Sequence, residues 1–160
     1  MKFNGALKNL VLILFSTLLI SACSTAKKAA VDTVDDVYTG TDTIEFLAKG
    51  VPDRVFFATN KSKLTTRSRD TLRKQATFLR KNKDVTVTLE GHADERGTRE
   101  YNLALGERRA NAAKDYLMTY GISGKRITVI SYGKEKPVNP ASTPLAWSQN
   151  RRSVTIKTNK

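Results

Sequence analysis

The chain has 160 residues, enough for one domain of ordinary size. Hydrophobic residues make up 39% and aromatic residues 8%, which leaves material for one modest core and excludes a second catalytic domain. Lysine and arginine number 28 against 15 aspartates and glutamates, so the formal net charge of +13 indicates anionic partners or surfaces. One cysteine and one histidine exclude an intrachain disulfide and most zinc sites.

The N-terminus has the pattern of a secretory signal peptide. A head with two lysines precedes the apolar run 10–20 and the small residues Ser21 and Ala22. The apolar run is shorter than the roughly 20 residues that a membrane-spanning helix needs. We therefore expect residues 1–22 to be a cleaved signal and not a permanent transmembrane segment.

The only cysteine, Cys23, directly follows the sequence Leu19-Ile20-Ser21-Ala22. This pattern resembles the bacterial lipobox, in which the thiol receives a diacylglycerol and, after cleavage, the new amino terminus receives an acyl chain. Two or three chains hold a protein firmly in a membrane that it does not span, because each buried methylene contributes about 0.8 kcal/mol. Ser24 is not an aspartate, which by resemblance to lipoprotein sorting implies transfer to the outer membrane. The alternative is an ordinary signal peptide with an incidental cysteine.

Residues 23–52 are predicted to form a lipidated N-terminus and a flexible tether, because they are polar and show no sustained period. A flexible chain of about 28 residues has an average end-to-end distance of roughly 30 Å. The folded domain that follows this tether can therefore reach a layer about that far from the membrane. Thr43 to Leu47 interrupts the polar run and is a candidate for a short docked strand. Cleavage before Cys23 leaves 26 basic and 15 acidic residues, a net charge of +11.

Residues 53–160 form the predicted folded domain. Aromatic and β-branched content or a period of two predicts strands at 54–58, 84–90, 126–132 and 153–158. A period of 3.6 predicts helices at 65–81, behind the N-cap Thr65, and at 99–120, between the N-cap Thr98 and the terminating Gly121. The order β-α-β-α-β-β, with polar alternation on the strands, predicts an α+β domain whose sheet is covered by helices on one face and wet on the other.

Arg109 falls on the apolar face of the second predicted helix, whereas Arg108, rotated by about 100°, faces solvent. A buried guanidinium without a partner costs several kcal/mol, so Arg109 needs a carboxylate, and Asp94 in the preceding loop 91–98 is the candidate. Two interpretations stay open. The pair forms a structural salt bridge, or Asp94 accepts from the ammonium group of a zwitterion while Arg109 binds its carboxylate bidentately.

The run Gly91 to Asn111, GHADERGTREYNLALGERRAN, resembles the signature of OmpA-like peptidoglycan-binding domains. Its ADERGT form, with Ser131 to Pro137 and Trp147 to Val154, is similar to the peptidoglycan-associated lipoproteins, and the likeness covers about residues 53–158. The resemblance implies a four-stranded mixed sheet with two main helices packed on one face. It also implies a non-catalytic domain that grips meso-diaminopimelate of the peptidoglycan stem peptide, whose side chain ends in an amino acid centre.

The resemblance also assigns roles to single residues. By position in the motif, Asp94 resembles an ammonium-binding aspartate, Arg109 a carboxylate-binding arginine and Asn102 a supporting amide. In this family the loop after the first strand usually carries an acidic or amide-bearing residue that touches the ligand, often an aspartate. Asn60 stands there, which keeps the hydrogen bond and loses the charge. A turn residue is the alternative for Asn60. Arg151 also resembles a family signature and is a further candidate for ligand contact, against a solvated or structural arginine.

The partners that the resemblance implies are peptidoglycan, the outer membrane through the lipid anchor, and the TolB propeller with other proteins of the Tol system. The protein would then tie the outer membrane to the wall, with its domain facing the periplasm. We expect no metal, no enzymatic activity and no cofactor apart from the acyl chains on Cys23.

Three other functions deserve comparison with this one. A wall-binding OmpA-like lipoprotein without a Tol role is the main alternative. A metal-dependent hydrolase would have to use His92, Asp94 and Glu95, which are crowded into one loop without a second histidine. A nucleic-acid binder fits the charge, but the basic stretches contain few aromatic residues and the export signal separates the protein from the genome.

Overall fold

The computed structural model describes residues 36–158, so Cys23, the predicted signal and the first part of the tether lie outside the described residues. Within the described residues no helix combines the length and the apolar character needed to cross a membrane. The elements in chain order are β1 (Phe46–Ala48), β2 (Val51–Pro52), β3 (Arg54–Phe56), α1 (Thr66–Lys81), β4 (Val87–His92), α2 (Arg99–Thr119), β5 (Ile127–Gly133), α3 (Pro144–Asn150) and β6 (Arg152–Lys157).

A mixed sheet with the strand order β3-β6-β4-β5 forms the centre of the domain. Strand β6 pairs antiparallel with both β3 and β4, and β4 pairs parallel with β5. Helices α1 and α2 pack on this sheet around a core that includes Phe57, Leu79, Leu89 and Leu117. The domain is therefore α+β, and the predicted order β-α-β-α-β-β is confirmed for the large sheet and its two long helices.

The two long helices begin at their predicted caps. The Thr65 hydroxyl accepts from the backbone N–H of Ser68 at 3.1 Å, and the Thr98 hydroxyl accepts from that of Tyr101 at 3.2 Å. Each cap satisfies one N–H group that has no partner within the helix. Gly121 follows α2 with φ +81°, a conformation that glycine adopts without strain. Local sequence chemistry thus predicts both boundaries to within a residue.

Strand β4 and helix α2 approach so closely at Gly91 and Gly106 that neither position has room for a side chain. A Cβ on Gly106 would lie 2.8 Å from the carbonyl oxygen of Gly91, and a Cβ on Gly91 would overlap the carbonyl group of Gly106. This contact holds the loop 93–98, which joins the two elements, close to the sheet.

We expect Gly91→Ala to lower the free energy of unfolding by about 2–3 kcal/mol, since the added methyl group forces strand and helix apart. Gly124→Ala is the matched control, because the nearest atoms to its Cβ lie 3.5 Å away on the flexible Met118 side chain. Urea denaturation measures the difference. Equal stability of wild type and Gly91→Ala would contradict the close approach.

Residues 36–52, which the sequence analysis assigns to the tether, pack against the domain. Tyr38 is buried, and its ring centroid lies 4.8 Å from that of Phe56. Leu47 is buried as well, on a hairpin in which β1 pairs antiparallel with β2. The docked strand predicted at 43–47 is thus present, shifted towards the C-terminus. Average composition does not reveal this packing, because it depends on where single side chains such as Tyr38 and Leu47 meet the domain.

Helix α3 was not predicted. The Thr143 hydroxyl accepts from the backbone N–H of Ala146 at 3.2 Å, and Pro144 occupies the first turn. A threonine followed by proline is a recognised start signal for a helix, but seven residues are too few to establish a helical period.

The face of the sheet opposite α1 and α2 is solvated only in part: Thr128, Ile130 and Ile156 are exposed, as predicted for this face, but other residues are not. Thr88 and His92 on this face are buried. Residues 45–47, at the start of the hairpin, and residues 136–138 line a groove of about 550 Å³ over it.

Candidate ligand-binding site

Two loops and one arginine build the candidate site at one edge of the sheet. Strands β3 and β4 both run antiparallel to β6 and therefore parallel to each other. Their C-terminal ends meet at the same edge as the N-terminal end of β6. The loop 57–61 after β3, the loop 93–98 after β4 and Arg151 before β6 consequently lie side by side.

Arg109 lies beneath the two loops and has no exposed surface. Its Nε donates to the carbonyl of Lys61 at 2.9 Å, Nη1 to that of His92 at 2.8 Å and Nη2 to that of Ala58 at 3.1 Å. Burial, with a contribution from the positive charge of Arg151, lowers the pKa of Arg109 to about 10, so the side chain stays protonated at neutral pH. Arg109 therefore joins the two loops from below.

In the described residues Arg109 does not pair with Asp94 as a structural salt bridge, and its binding of a ligand carboxylate stays a prediction. Its hydrogen-bond partners are backbone carbonyls, and a ligand reaches the covered guanidinium only if a loop moves. A helical projection identifies a buried face, but it cannot identify a carbonyl partner, because every residue carries one.

Asp94 is buried and forms ion pairs with Arg96 and Arg151. Its Oδ1 accepts from Arg96 Nε at 3.0 Å, and its Oδ2 accepts from Arg96 Nη2 at 2.7 Å and from Arg151 Nη1 at 3.4 Å. Burial by itself raises the pKa of Asp94, but the hydrogen bonds and charge of Arg96, with the charge of Arg151, hold it below the usual value. Asp94 is therefore an anion at neutral pH.

The guanidinium of Arg96 covers Asp94 from the solvent side. Its side chain is 42% exposed and lies 4.4 Å from the centroid of the Trp147 ring. Trp147 is held in turn by its Nε1, which donates to Glu95 at 2.8 Å. Because Arg96 is solvated and has a long stem, it is the part of this cluster that can move away from Asp94.

Asp36 completes the cluster from the N-terminal segment. Its Oδ1 accepts from the Thr59 N–H at 2.9 Å, and its Oδ2 accepts from the Thr59 hydroxyl and pairs with Arg151 Nη2 at 3.1 Å. Arg96 Nη2 donates to the same Thr59 hydroxyl at 3.2 Å. Three ion pairs thus link two carboxylates and two guanidinium groups, and the Thr59 hydroxyl joins the two ends. We call these four charged side chains the charged ring: Asp36, Arg151, Asp94 and Arg96.

Asn102 and Asn60 occupy different surroundings. Asn102 is buried, and its Nδ2 donates to the Arg96 carbonyl at 2.8 Å, which supports the loop 93–98. Asn60 is exposed and has φ +54°, a left-handed conformation that asparagine tolerates better than most residues. This geometry fits the turn interpretation of Asn60. A ligand contact by either amide stays a prediction.

The imidazole of His92 belongs to the groove on the other face of the sheet. It is buried, with Nε2 3.7 Å from Glu90 Oε2 and its ring 5.6 Å from that of Tyr132. In residues 36–158 no group of three or more His, Cys, Asp or Glu side chains is placed to hold a metal ion. His92 and Asp94, which a metal-dependent hydrolase would have to use together, thus lie in different environments.

Acid should destabilise the domain through His92. Burial, followed by the positive charges of Arg152, Lys136 and Arg54, lowers the pKa of His92 to about 3. In the unfolded chain the imidazole binds a proton near pH 6.5, whereas in the folded domain it stays neutral down to about pH 3. Protonation therefore does not oppose folding above pH 6.5, and the free energy of unfolding decreases as the pH falls from 6.5 towards 3. We expect the free energy of unfolding to fall by about 2 kcal/mol between pH 6.5 and pH 5.

Urea denaturation of wild type and His92→Gln at both pH values measures this effect. The variant lacks the titrating group and should show a much smaller change. Equal slopes in the two proteins would contradict the assignment to His92.

Comparison with known proteins places this fold in a family. The family model described as "OmpA family" matches residues 56–151. The chain belongs to the OmpA family. One relative in this family, a peptidoglycan-associated lipoprotein of Brucella melitensis, is 40% identical over 152 residues, which cover 92% of this chain and 90% of the relative. Another of the same name, from Rhizobium meliloti, is 54% identical over 106 residues, which cover 66% of this chain and 60% of the relative. The chain thus spans about three fifths of the Rhizobium protein.

Solved structures agree with the OmpA-family assignment. The peptidoglycan-associated lipoprotein from Burkholderia pseudomallei is 33% identical, with a TM-score of 0.65 over 66% of this chain and 90% of that chain. The C-terminal domain of Helicobacter pylori MotB is 19% identical, with a TM-score of 0.63 over 68% and 85%, and it shows the fold alone. The resemblance inferred from the sequence motif is therefore confirmed.

Sequence reasoning missed two members of the charged ring. Arg96 lies two residues after Asp94 within the quoted motif, so a test of neighbouring opposite charges could have found it. Asp36 stands 58 positions before Asp94 in a stretch without a pattern, and no local signal points to it.

Proposed function

We propose that this chain is an outer-membrane lipoprotein whose periplasmic domain binds peptidoglycan non-covalently and so ties the membrane to the wall. Relatives at 40% and 54% identity are named peptidoglycan-associated lipoproteins. The observation that carries the proposal is the charged ring, in which Nη1 of the buried Arg151 lies 3.4 Å from Oδ2 of the buried Asp94 and each of the two pairs with an exposed ion.

The proposed ligand is the distal amino acid centre of meso-diaminopimelate in the stem peptide. Its ammonium group takes the place of the Arg96 guanidinium on Asp94, so one cation replaces another. Its carboxylate meets the Arg151 guanidinium, which offers planar, charge-assisted hydrogen bonds. Arg109 holds the two loops in position from beneath, and Asn102 holds the Arg96 carbonyl. The proposed role consists of binding and needs no bond-breaking step.

The parts outside the described domain complete the proposal. Acyl chains on Cys23 hold the outer membrane, and the segment that follows lets the domain reach the wall. Many weak and reversible contacts along a polymer then act together, because each bound domain raises the local concentration of its neighbours' sites. We also propose that the domain binds TolB and takes part in the Tol system. A pull-down of TolB with the purified chain tests that partner, and failure to recover TolB favours a wall-binding lipoprotein without a Tol role.

Sedimentation of the mature chain in detergent with purified sacculi tests wall binding. We expect the chain to pellet and a soluble stem peptide containing meso-diaminopimelate to release it. The matched control peptide has lysine in place of diaminopimelate, so it keeps the ammonium and lacks the carboxylate, and it should release little protein. No pelleting would contradict wall binding, and equal release by both peptides would contradict recognition of a zwitterion. Cys23→Ser should move the protein out of the membrane fraction.

A further inference from the structure

The charged ring has a buried half and an exposed half. The side chains of Asp94 and Arg151 are 9% and 3% exposed, whereas those of Arg96 and Asp36 are 42% and 52% exposed. Each buried ion is therefore covered by an exposed ion of opposite charge. The exposed half is one guanidinium and one carboxylate, which together carry the same two charges as a zwitterionic amino acid.

The exposed pair also shares a common contact. The hydroxyl of Thr59 donates to Asp36 and accepts from Arg96 Nη2 at 3.2 Å. The backbone N–H of Thr59 donates to the other oxygen of Asp36 at 2.9 Å. Asp36 thus uses a backbone donor, a hydroxyl and a guanidinium, which is a set of donors suited to any free carboxylate.

We propose that Asp36 and Arg96 are an internal substitute for the ligand. They close the site in the free domain, and the ligand binds by expelling both side chains, Arg96 from Asp94 and Asp36 from Arg151 and Thr59. This inference rests on the proposed function and adds to it a self-inhibited state of the same site. Asp36 becomes a residue that sets affinity and specificity without touching the bound ligand.

The closed ring favours ligands that carry both charges. A ligand with an ammonium group alone replaces Arg96 but leaves Asp36 on Arg151. A ligand with a carboxylate alone must displace Asp36 while Arg96 still covers Asp94. A molecule that carries both groups a short distance apart replaces Arg96 with its ammonium group and Asp36 with its carboxylate. The buried Asp94 and Arg151 then each keep a partner of opposite charge.

Displacement of Asp36 also links the site to the anchor. Asp36 stands 13 residues after Cys23, and Tyr38, two residues later, packs on Phe56. Arg151 Nη2 also donates to the backbone carbonyl of Asp36, so loss of this contact together with the ion pair detaches the chain ahead of Tyr38 from the site. If ligand binding favours the release of Asp36 by some factor, then release of Asp36 raises the affinity for the ligand by the same factor, because coupling between two equilibria is reciprocal.

Titration of the mature chain with the soluble diaminopimelate stem peptide tests the inference. We expect Asp36→Ala to bind the peptide about three- to tenfold more tightly than wild type, because no internal carboxylate has to be displaced. Glu45→Ala is the matched control, since it removes one negative charge from the same segment at a residue whose side chain is 82% exposed and pairs with Arg54 instead. Its affinity should equal that of wild type. Unchanged or weaker binding by Asp36→Ala would overturn the inference.

The amide resonance of Thr59 gives a second measurement that a merely structural role of Asp36 would not reproduce. In the free proteins this resonance should differ between wild type and Asp36→Ala, because the acceptor of its N–H is removed. At saturating peptide the two resonances should coincide, since the ligand has expelled Asp36 from the wild type. Resonances that remain apart in the complex would show that Asp36 stays bound and would overturn the inference. A wild type that binds neither sacculi nor peptide defeats the proposed function itself, which is a different result.

Discussion

Asp94→Asn should weaken binding of the diaminopimelate stem peptide by about 10- to 100-fold. The substitution keeps the shape of the side chain but removes the negative charge to which the ammonium group of the ligand is proposed to bind. A hydrogen bond to a charged group contributes about 1.5–3 kcal/mol, and each 1.4 kcal/mol changes affinity tenfold. Calorimetric titration of the purified chain measures the loss, and circular dichroism checks that the variant is folded.

Asp115→Asn is the matched control for this experiment. It makes the same chemical change on an exposed position of α2, and its affinity should equal that of wild type. If a folded Asp94→Asn protein bound the peptide as tightly as wild type, this result would contradict the proposal that Asp94 binds the ammonium group.

Arg109→Ala should destabilise the domain more than any other single substitution considered above. It leaves the carbonyls of Lys61, His92 and Ala58 without their donor and opens a cavity beneath both loops. We expect a loss of about 3–5 kcal/mol in the free energy of unfolding and a fall in melting temperature of roughly 10–20 °C. Arg109→Lys should recover only part of this loss, because an ammonium group lacks the planar fork that serves three separated acceptors.

The neighbouring arginine provides the control. Arg108 is exposed and precedes Arg109 directly, so Arg108→Ala removes the same charge from the same helix and should change stability by no more than about 0.5 kcal/mol. Thermal denaturation of the two variants separates two roles for Arg109. A variant Arg109→Ala that melts like wild type but no longer binds peptide would contradict the structural role and return Arg109 to direct contact with the ligand carboxylate.

The secondary structure of the central domain follows from local chemistry and was largely predicted. Thr65 and Thr98 supply caps, Gly121 supplies a left-handed residue, and apolar periods separate helices from strands. These signals act within a few residues, so they are present in the sequence before any packing occurs. Helix α3 lacks such signals over a sufficient length, and in the packed segment 36–52 they predicted only the short strand at 43–47, so contacts with the rest of the domain define the remainder.

The sequence put forward Asp94 and Arg109 as members of one candidate site, but it predicted only part of their contacts. The motif 91–111 identified the loop that carries Asp94, and helical projection identified Arg109 as buried. Projection assigned Arg109 a carboxylate, whereas its observed partners are three carbonyls. Arg151 was a candidate on resemblance alone, and the structure brings it within 3.4 Å of Asp94. The ligand roles of these residues stay predictions until binding is measured.

By itself, the sequence was sufficient for the order of the main elements, their caps and the family resemblance, whereas lipidation at Cys23 stays a prediction. Only the tertiary structure decided which charges pair. The common direction of β3 and β4 brings two distant loops together, and Asp36 arrives there from a segment that has no pattern of its own. Pairing depends on distances of a few ångströms between residues up to 115 positions apart, as for Asp36 and Arg151. No local pattern encodes such distances, because they arise from the packing of the whole domain.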